Sequence, residues 1–143
     1  MRKRLIAVLL TMMLLIRPIC VEAEEHEFKH VKMTCYTHTG SPCRNGQMPR
    51  KGICAYQYEY LDWMAIVYED NNGKPGEIIG YYEIFDTGYG IETDVVNPET
   101  GKNYGSLELG TSIDIFQDSL EECYEFIEEH GDMAFIQIVY AEG

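Results

Sequence analysis

The feature that most constrains this chain is a series of short runs rich in β-branched and aromatic residues, separated by turn-forming segments. Ile53-Cys54-Ala55-Tyr56, Trp63 to Tyr68 (WMAIVY), Ile78 to Phe85 (IIGYYEIF), Ser112 to Phe116 (SIDIF) and Met133 to Tyr140 (MAFIQIVY) read as strands. Such side chains pack well on a pleated, half-buried surface, and the runs are too short for stable helices. An earlier run from Val31 to His38 opens the ordered part. Thr39 to Gly52 (TGSPCRNGQMPRKG) is dense in Gly, Pro, Asn and Ser and reads as a long loop, and Asp70 to Gly76 (DNNGKPG) as the turn of a hairpin. Only one helix is predicted. Ser119 is its N-cap, Glu122 stands at capping-box spacing, Leu120, Cys123 and Ile127 form an apolar stripe widened by Phe126, and Gly131 supplies the stop. The expected fold is therefore all-β: a small closed barrel of five or six short strands with one short α-helix near the C-terminus.

The two ends of the chain differ in kind. Met1-Arg2-Lys3-Arg4 is basic, Leu5 to Ile16 (LIAVLLTMMLLI) is apolar, and Val21-Glu22-Ala23 offers small residues at the −3 and −1 positions of a cleavage site. This is the layout of a secretory signal, and the apolar run is short for a bilayer core of about 30 Å. The expectation is a signal peptide over 1–23, a flexible lead-in over 24–32 and one domain over 33–143, secreted to the extracellular or cell-wall space. The formal net charge is −13 at pH 7. Loss of a leader carrying Arg2, Lys3, Arg4 and Arg17 against Glu22 leaves the remainder more acidic still. That balance opposes partnership with nucleic acid or, after cleavage, with an anionic membrane, whereas uncharged glycans remain open.

Cys35, Cys43, Cys54 and Cys123 follow the leader. In an exported domain they suggest one or two disulfides whose pairing stays open. No C-x-x-C knuckle occurs, and His26, His30, His38 and His130 form no ligand-spaced pair. Neither a metal nor another cofactor is expected.

The stretch Glu83 to Gly90 (EIFDTGYG) contains an Asp-Thr-Gly preceded by an apolar residue. In aspartic proteases two such aspartates share a proton, so a single copy would require a symmetric dimer. Tyr89 follows the triplet where that family has Ala or Ser, and the protease reading leaves Ser112 to Phe116 unexplained. An aspartate beside a tight turn also serves simply to cap backbone N–H groups.

From Met33 onward the chain resembles the 3D (three-aspartate) domain family. These exported bacterial proteins are related to the catalytic barrel of membrane-bound lytic transglycosylase A and to the stationary-phase survival muralytic proteins. Met33-Thr34-Cys35-Tyr36 matches the family's opening strand with its Thr-x-Tyr, and Gly52-Ile53-Cys54-Ala55 its Gly-x-x-Ala. Phe85-Asp86-Thr87-Gly88 matches the Asp-Thr-Gly, and Ser112 to Phe116 the Ile-Asp-hydrophobic-aromatic strand. Asp118 to Gly131 corresponds to the short helix, and Phe135 to Tyr140 to the closing strand. The resemblance implies a double-psi β-barrel. The sequence departs from the pattern in three places. Gln57 stands where the family has its first aspartate, Tyr89 replaces the second Gly of Asp-Thr-Gly-Gly, and a polar insertion over 91–108 separates Asp86 from Asp114.

The resemblance also implies the chemistry. Lytic transglycosylases cleave the β-1,4 bond between N-acetylmuramic acid and N-acetylglucosamine in peptidoglycan, and the muramyl C6 hydroxyl attacks its own C1. A single carboxyl group suffices, first as acid and then as base. Asp114 is the candidate acid/base and Asp86 its partner. Thr87 and Gly88 shape the turn that presents Asp86, and Tyr36 and Gln57 are candidate sugar contacts. The alternative is a non-catalytic barrel that binds glycan or a partner protein through the same groove. Trp63 is expected in the core. Tyr58, Tyr60, Tyr81 and Tyr82 are expected to pack or to lie at the surface.

Overall fold

The computed structural model describes residues 27–140. The expected signal peptide over 1–23 and the first residues of the lead-in fall outside the described residues. Eight strands and two helices follow in order: β1 (Lys29–Tyr36), β2 (Ile53–Ala55), β3 (Met64–Asn71), β4 (Lys74–Asp86), β5 (Glu92–Val96), β6 (Asn103–Gly105), α1 (Ser106–Leu109), β7 (Ser112–Phe116), α2 (Leu120–His130) and β8 (Met133–Val139). A single 3₁₀ turn, Tyr58–Tyr60, links β2 to β3.

Six strands form a closed ring of hydrogen bonds in the order β1-β7-β2-β4-β3-β8, and β8 returns to β1. β1 pairs with β7 and β2 with β4 in parallel, while the remaining neighbours run antiparallel. β5 and β6 form a separate two-stranded sheet. The described residues are thus mostly β, with one helix more than expected among them. α1 is a single turn, too short to be signalled by periodicity, since isolated turns are not stable without tertiary support. That support comes from buried Ser106 and Leu107.

Two apolar clusters explain the burial pattern. The first fills the ring with Val31, Met33, Cys54, Ala65, Val67, Ile84, Ile113, Ile115, Ala134 and Ile136, among others. The second lies on the other face of β2, β4 and β7, where Cys43, Ile53, Phe85 and Phe116 pack with Tyr36 beneath the 37–52 loop. A strand buried on both faces loses polar alternation. Accordingly Ser112, Ile113, Ile115 and Phe116 of β7 are all buried, and Asp114 alone is half-buried. Trp63 is half-buried against the first cluster, edge-on to Tyr60 and Tyr140, while Tyr82 is buried and Tyr58 and Tyr81 are exposed.

Local details differ from expectation for identifiable reasons. β1 starts at Lys29, inside the anticipated lead-in, because Lys29 to Lys32 pair antiparallel with β8. His30 stacks on Phe135 at 4.4 Å there, with its Nε2 2.9 Å from Asp70 Oδ2. The β3–β4 turn is tighter than Asp70 to Gly76. Asn71 still pairs with Lys74, and Asn72 and Gly73 take φ values of 54° and 82°. Two such residues match the right-handed twist of a hairpin. On α2, Ser119 Oγ accepts from Glu122 N at 3.2 Å, as the capping box requires. The Glu122 carboxylate, however, accepts from Asp118 N (3.1 Å) and from Lys51 Nζ (3.1 Å), not from Ser119 N. Leu120 is 61% exposed, so the packed face of α2 is Cys123, Phe126 and Ile127. Among the described residues no helix is long and apolar enough to cross a membrane.

Candidate functional site

Strand register builds the site. Thr34 of β1 pairs with Asp114 of β7, Asp114 pairs with Ala55 of β2, and Ala55 pairs with Asp86 of β4. The four residues form one transverse row across four adjacent strands. The last link depends on an irregularity. Ile53 and Cys54 pair with Glu83 and Ile84, but Ala55 pairs with Asp86, so Phe85 is skipped. A bulge of this kind re-aims the following side chain, and here it brings Asp86 into the row with Asp114. With neighbouring strands about 4.8 Å apart, the Cα atoms of the two aspartates stand on the order of 10 Å apart, with the Ala55 methyl between them. One intervening strand therefore separates them, unlike the contact of about 3 Å that lets a protease dyad share a proton.

The two carboxylates have different surroundings. Thr34 Oγ1 donates to Asp114 Oδ1 at 3.0 Å and also lies 3.3 Å from the Ile113 carbonyl. Burial between apolar neighbours pushes the Asp114 pKa up to about 6; the Thr34 hydrogen bond opposes that rise and the nearby Asp86 charge adds to it. Asp86 is held by backbone: its Oδ1 accepts from Arg44 N at 3.0 Å and from Thr87 N at 2.9 Å. The capping role open to any aspartate at a turn is therefore real for this oxygen. The Arg44 donor comes from the loop over the second cluster, which is fixed there by buried Cys43 and by Asn45 N donating to the Phe85 carbonyl at 3.1 Å.

Tyr36 lies two residues beyond Thr34, on the same face of β1, with its ring edge-on to Phe116 at 5.4 Å. Its Oη is buried without a hydrogen-bond partner. Burial, together with Cys43, Asp86 and Asp114, drives its pKa far above the ordinary phenol range, so the hydroxyl keeps its proton. A buried donor without a partner is uncommon in native structures, and this one belongs to the same neighbourhood as both aspartates.

Thr87 and Gly88 border a groove with Arg44, Tyr58, Leu107 and Glu108. The Arg44 guanidinium lies over the Tyr58 ring, 5.4 Å from its centroid. Gln57 does something else. Its Nε2 donates to the Glu108 carbonyl at 3.0 Å, and its Oε1 is buried against Gly110, where an added Cβ would come within 2.5 Å of it. Gln57 therefore ties the end of β2 to α1. The 91–108 insertion is pinned beside the Asp-Thr-Gly turn by Ser106. Its Oγ accepts from Ile91 N (2.8 Å) and lies 2.7 Å from Ser112 Oγ, while Leu107 N donates to the Tyr89 carbonyl at 3.1 Å.

The structure thus brings Asp114, Asp86 and Tyr36 together, sets Thr87 and Gly88 at the edge, and gives Gln57 a bracing contact. Thr34, Ala55 and Arg44 belong to the site on geometry. Thr34 and Ala55 sit within the matched motifs, yet their contacts with the aspartates follow only from pairing. Among the described residues no group of three His, Cys, Asp or Glu side chains is placed to hold a metal ion. Comparison with known proteins finds no matching family model, no matching curated protein and no matching solved structure.

Proposed function

We propose that this chain is a 3D-type double-psi β-barrel enzyme, exported through its leader, that cleaves peptidoglycan glycan strands as a lytic transglycosylase. The observation that carries the reading is the Thr34–Asp114–Ala55–Asp86 row, with one carboxyl group poised to exchange a proton near neutrality. Parallel β1–β7 and β2–β4 pairs inside one closed ring support the double-psi assignment.

In this mechanism protonated Asp114 gives its proton to the glycosidic O4 as the C1–O4 bond breaks. The muramyl O6 then bonds to C1, and the Asp114 carboxylate takes the O6 proton, which restores the acid for the next turnover. Thr34 holds Oδ1 and orients the group. Asp86, fixed by two backbone donors, presents negative charge across Ala55 to the oxocarbenium-like sugar. The groove beside Thr87 and Gly88 is the sugar contact, and Tyr36, with its Oη buried, supports the site from within. The test is mass spectrometry of purified sacculi incubated with the chain and with Asp114→Asn. Anhydromuropeptides from the first and none from the second are expected. Absence of release by both folded proteins refutes the reading.

One observation favours a second reading, a barrel that binds glycan or protein without cleaving it. Gln57 occupies the place of the family's first aspartate and is engaged with Glu108. Sacculus binding that persists in Asp114→Asn, with no product from either protein, identifies that case.

A further inference from the structure

β1 and α2 meet at two cysteines. Cys35 Sγ and Cys123 Sγ lie 2.8 Å apart, although the residues are 88 positions apart in the chain. That approach brings the two sulfurs to within about 1 Å of the covalent bond length of about 2.05 Å. The pair is reachable: a groove bordered by Lys32, Leu120, Tyr124 and Ile127 runs over it, and Leu120 and Tyr124 are exposed.

The other two cysteines are placed to stay apart. Cys54 and Cys35 both pair with Ile115, one on each side of β7, which puts their Cα atoms two strand spacings, on the order of 10 Å, apart. A disulfide spans less than about 7 Å. Cys54 is fully buried in the first cluster, and Cys43 packs with Ile53 in the second. Successive residues of β2 point to opposite faces, so the strand itself separates Cys54 from Cys43.

We propose that Cys35 and Cys123 form this protein's disulfide, covalently closing α2 onto β1, and that Cys43 and Cys54 remain thiols. The oxidant is a disulfide donor such as oxidised glutathione or the active-site disulfide of a thiol oxidase. One protein thiolate attacks a donor sulfur and expels the first donor thiol. The second protein thiolate then attacks the protein sulfur of that mixed disulfide and expels the other. Two protein S–H bonds become one S–S bond, and two electrons and two protons pass to the donor. The closed loop is long, which maximises the entropy removed from the unfolded chain. The inference is independent of any catalytic role for Asp114.

The experiment is peptide mapping of the purified full chain after incubation with oxidised glutathione and alkylation of free thiols. Cross-linked peptides carrying Cys35 and Cys123 are expected, with Cys43 and Cys54 alkylated only after unfolding. Recovery of Cys35 and Cys123 as alkylated thiols, or a Cys43–Cys54 cross-link, overturns the proposal. In parallel, reduction is expected to lower the wild-type Tm by on the order of 10 °C. In Cys35→Ala/Cys123→Ala, reduction leaves Tm unchanged. A wild-type Tm indifferent to reductant also overturns the proposal, whether or not the double variant folds.

Discussion

Replacing Asp114 by Asn separates what this carboxyl group does from what it costs the fold. Its pKa is about 6 in the folded chain against 3.8 for the unperturbed group. Between those values the folded state holds a proton that the unfolded state has released. Unfolding free energy therefore falls as pH rises from about 4 to about 6, and then levels off. A shift of about two units corresponds to about 3 kcal/mol of stability missing above pH 7. Asn cannot ionise, yet its Oδ1 still accepts from Thr34, so the variant avoids the penalty while keeping the hydrogen bond. Asp70 has the opposite sign. His30 and the Gly73 N–H hold its pKa below the usual range, so its contribution is present above the unfolded pKa and fades as pH falls. Because Asp70 is common to both proteins, it cancels in their difference. Urea unfolding followed by the fluorescence of Trp63, the only tryptophan, gives that difference directly. At pH 4 the two proteins should agree within about 0.5 kcal/mol. At pH 7.5 Asp114→Asn should be more stable by about 1–3 kcal/mol. A variant less stable than wild type at pH 7.5, or a difference that does not change with pH, refutes the reasoning that burial raises this pKa.

Other substitutions probe the rest of the row and its supports. Thr34→Val removes the hydrogen bond that lowers the Asp114 pKa, so the group should titrate above about 6 and the high-pH limb of activity should move upward; carbon NMR of the Asp114 carboxyl checks this, and a downward shift contradicts it. Ala55→Leu enlarges the buried residue that stands between the two aspartates in the row. Overpacking should destabilise by about 1–3 kcal/mol, while muralytic release should be lost completely; a stable, active variant means that no substrate passes over Ala55. Gly105→Ala would put a Cβ 1.8 Å from the Tyr89 carbonyl oxygen. Amide exchange at Ile91 and Leu107 should then accelerate by at least about tenfold while β1 and β7 stay protected, and unchanged exchange would show that the insertion is not anchored there.

The sequence carries the strands more clearly than it carries the site. β7 is legible because SIDIF is apolar on both sides of one polar residue, and α2 because Ser119 and Gly131 bound it. The start of β1 is hidden because Lys29, His30 and Lys32 are polar and solvent-facing, and only Val31 between them is buried. Their strand character comes from pairing with β8, about 100 residues away in the chain, which no local pattern reports. Asp86 and Asp114 stand out through their motifs, but their juxtaposition depends on the skipped Phe85 and on Ala55 belonging to two ladders at once. The bond from Thr34 to Asp114 likewise requires parallel pairing of β1 with β7. Gln57 shows the converse. Its place in the motif suggests a sugar contact, yet the αL turn at Gly110 brings a carbonyl from α1 within reach of its amide.

The location of the acid follows from the packing of the fold. β7, like β2 and β4, is used by both apolar clusters, with Ile113 and Ile115 on one side and Phe116 on the other. A carboxyl group on such a strand is desolvated wherever it points, and the half-buried position of Asp114 is where the strand meets solvent. The same 37–52 loop that covers Phe116 and Ile53 supplies the Arg44 N–H that fixes Asp86. Loop packing, which buries the second cluster, and carboxylate placement, which defines the row, are therefore one structural event. A change that loosens the loop over Cys43 removes one of the two backbone donors to Asp86 and leaves only Thr87 N, so stability and site geometry are coupled through the backbone of Arg44 rather than through any side chain of the row.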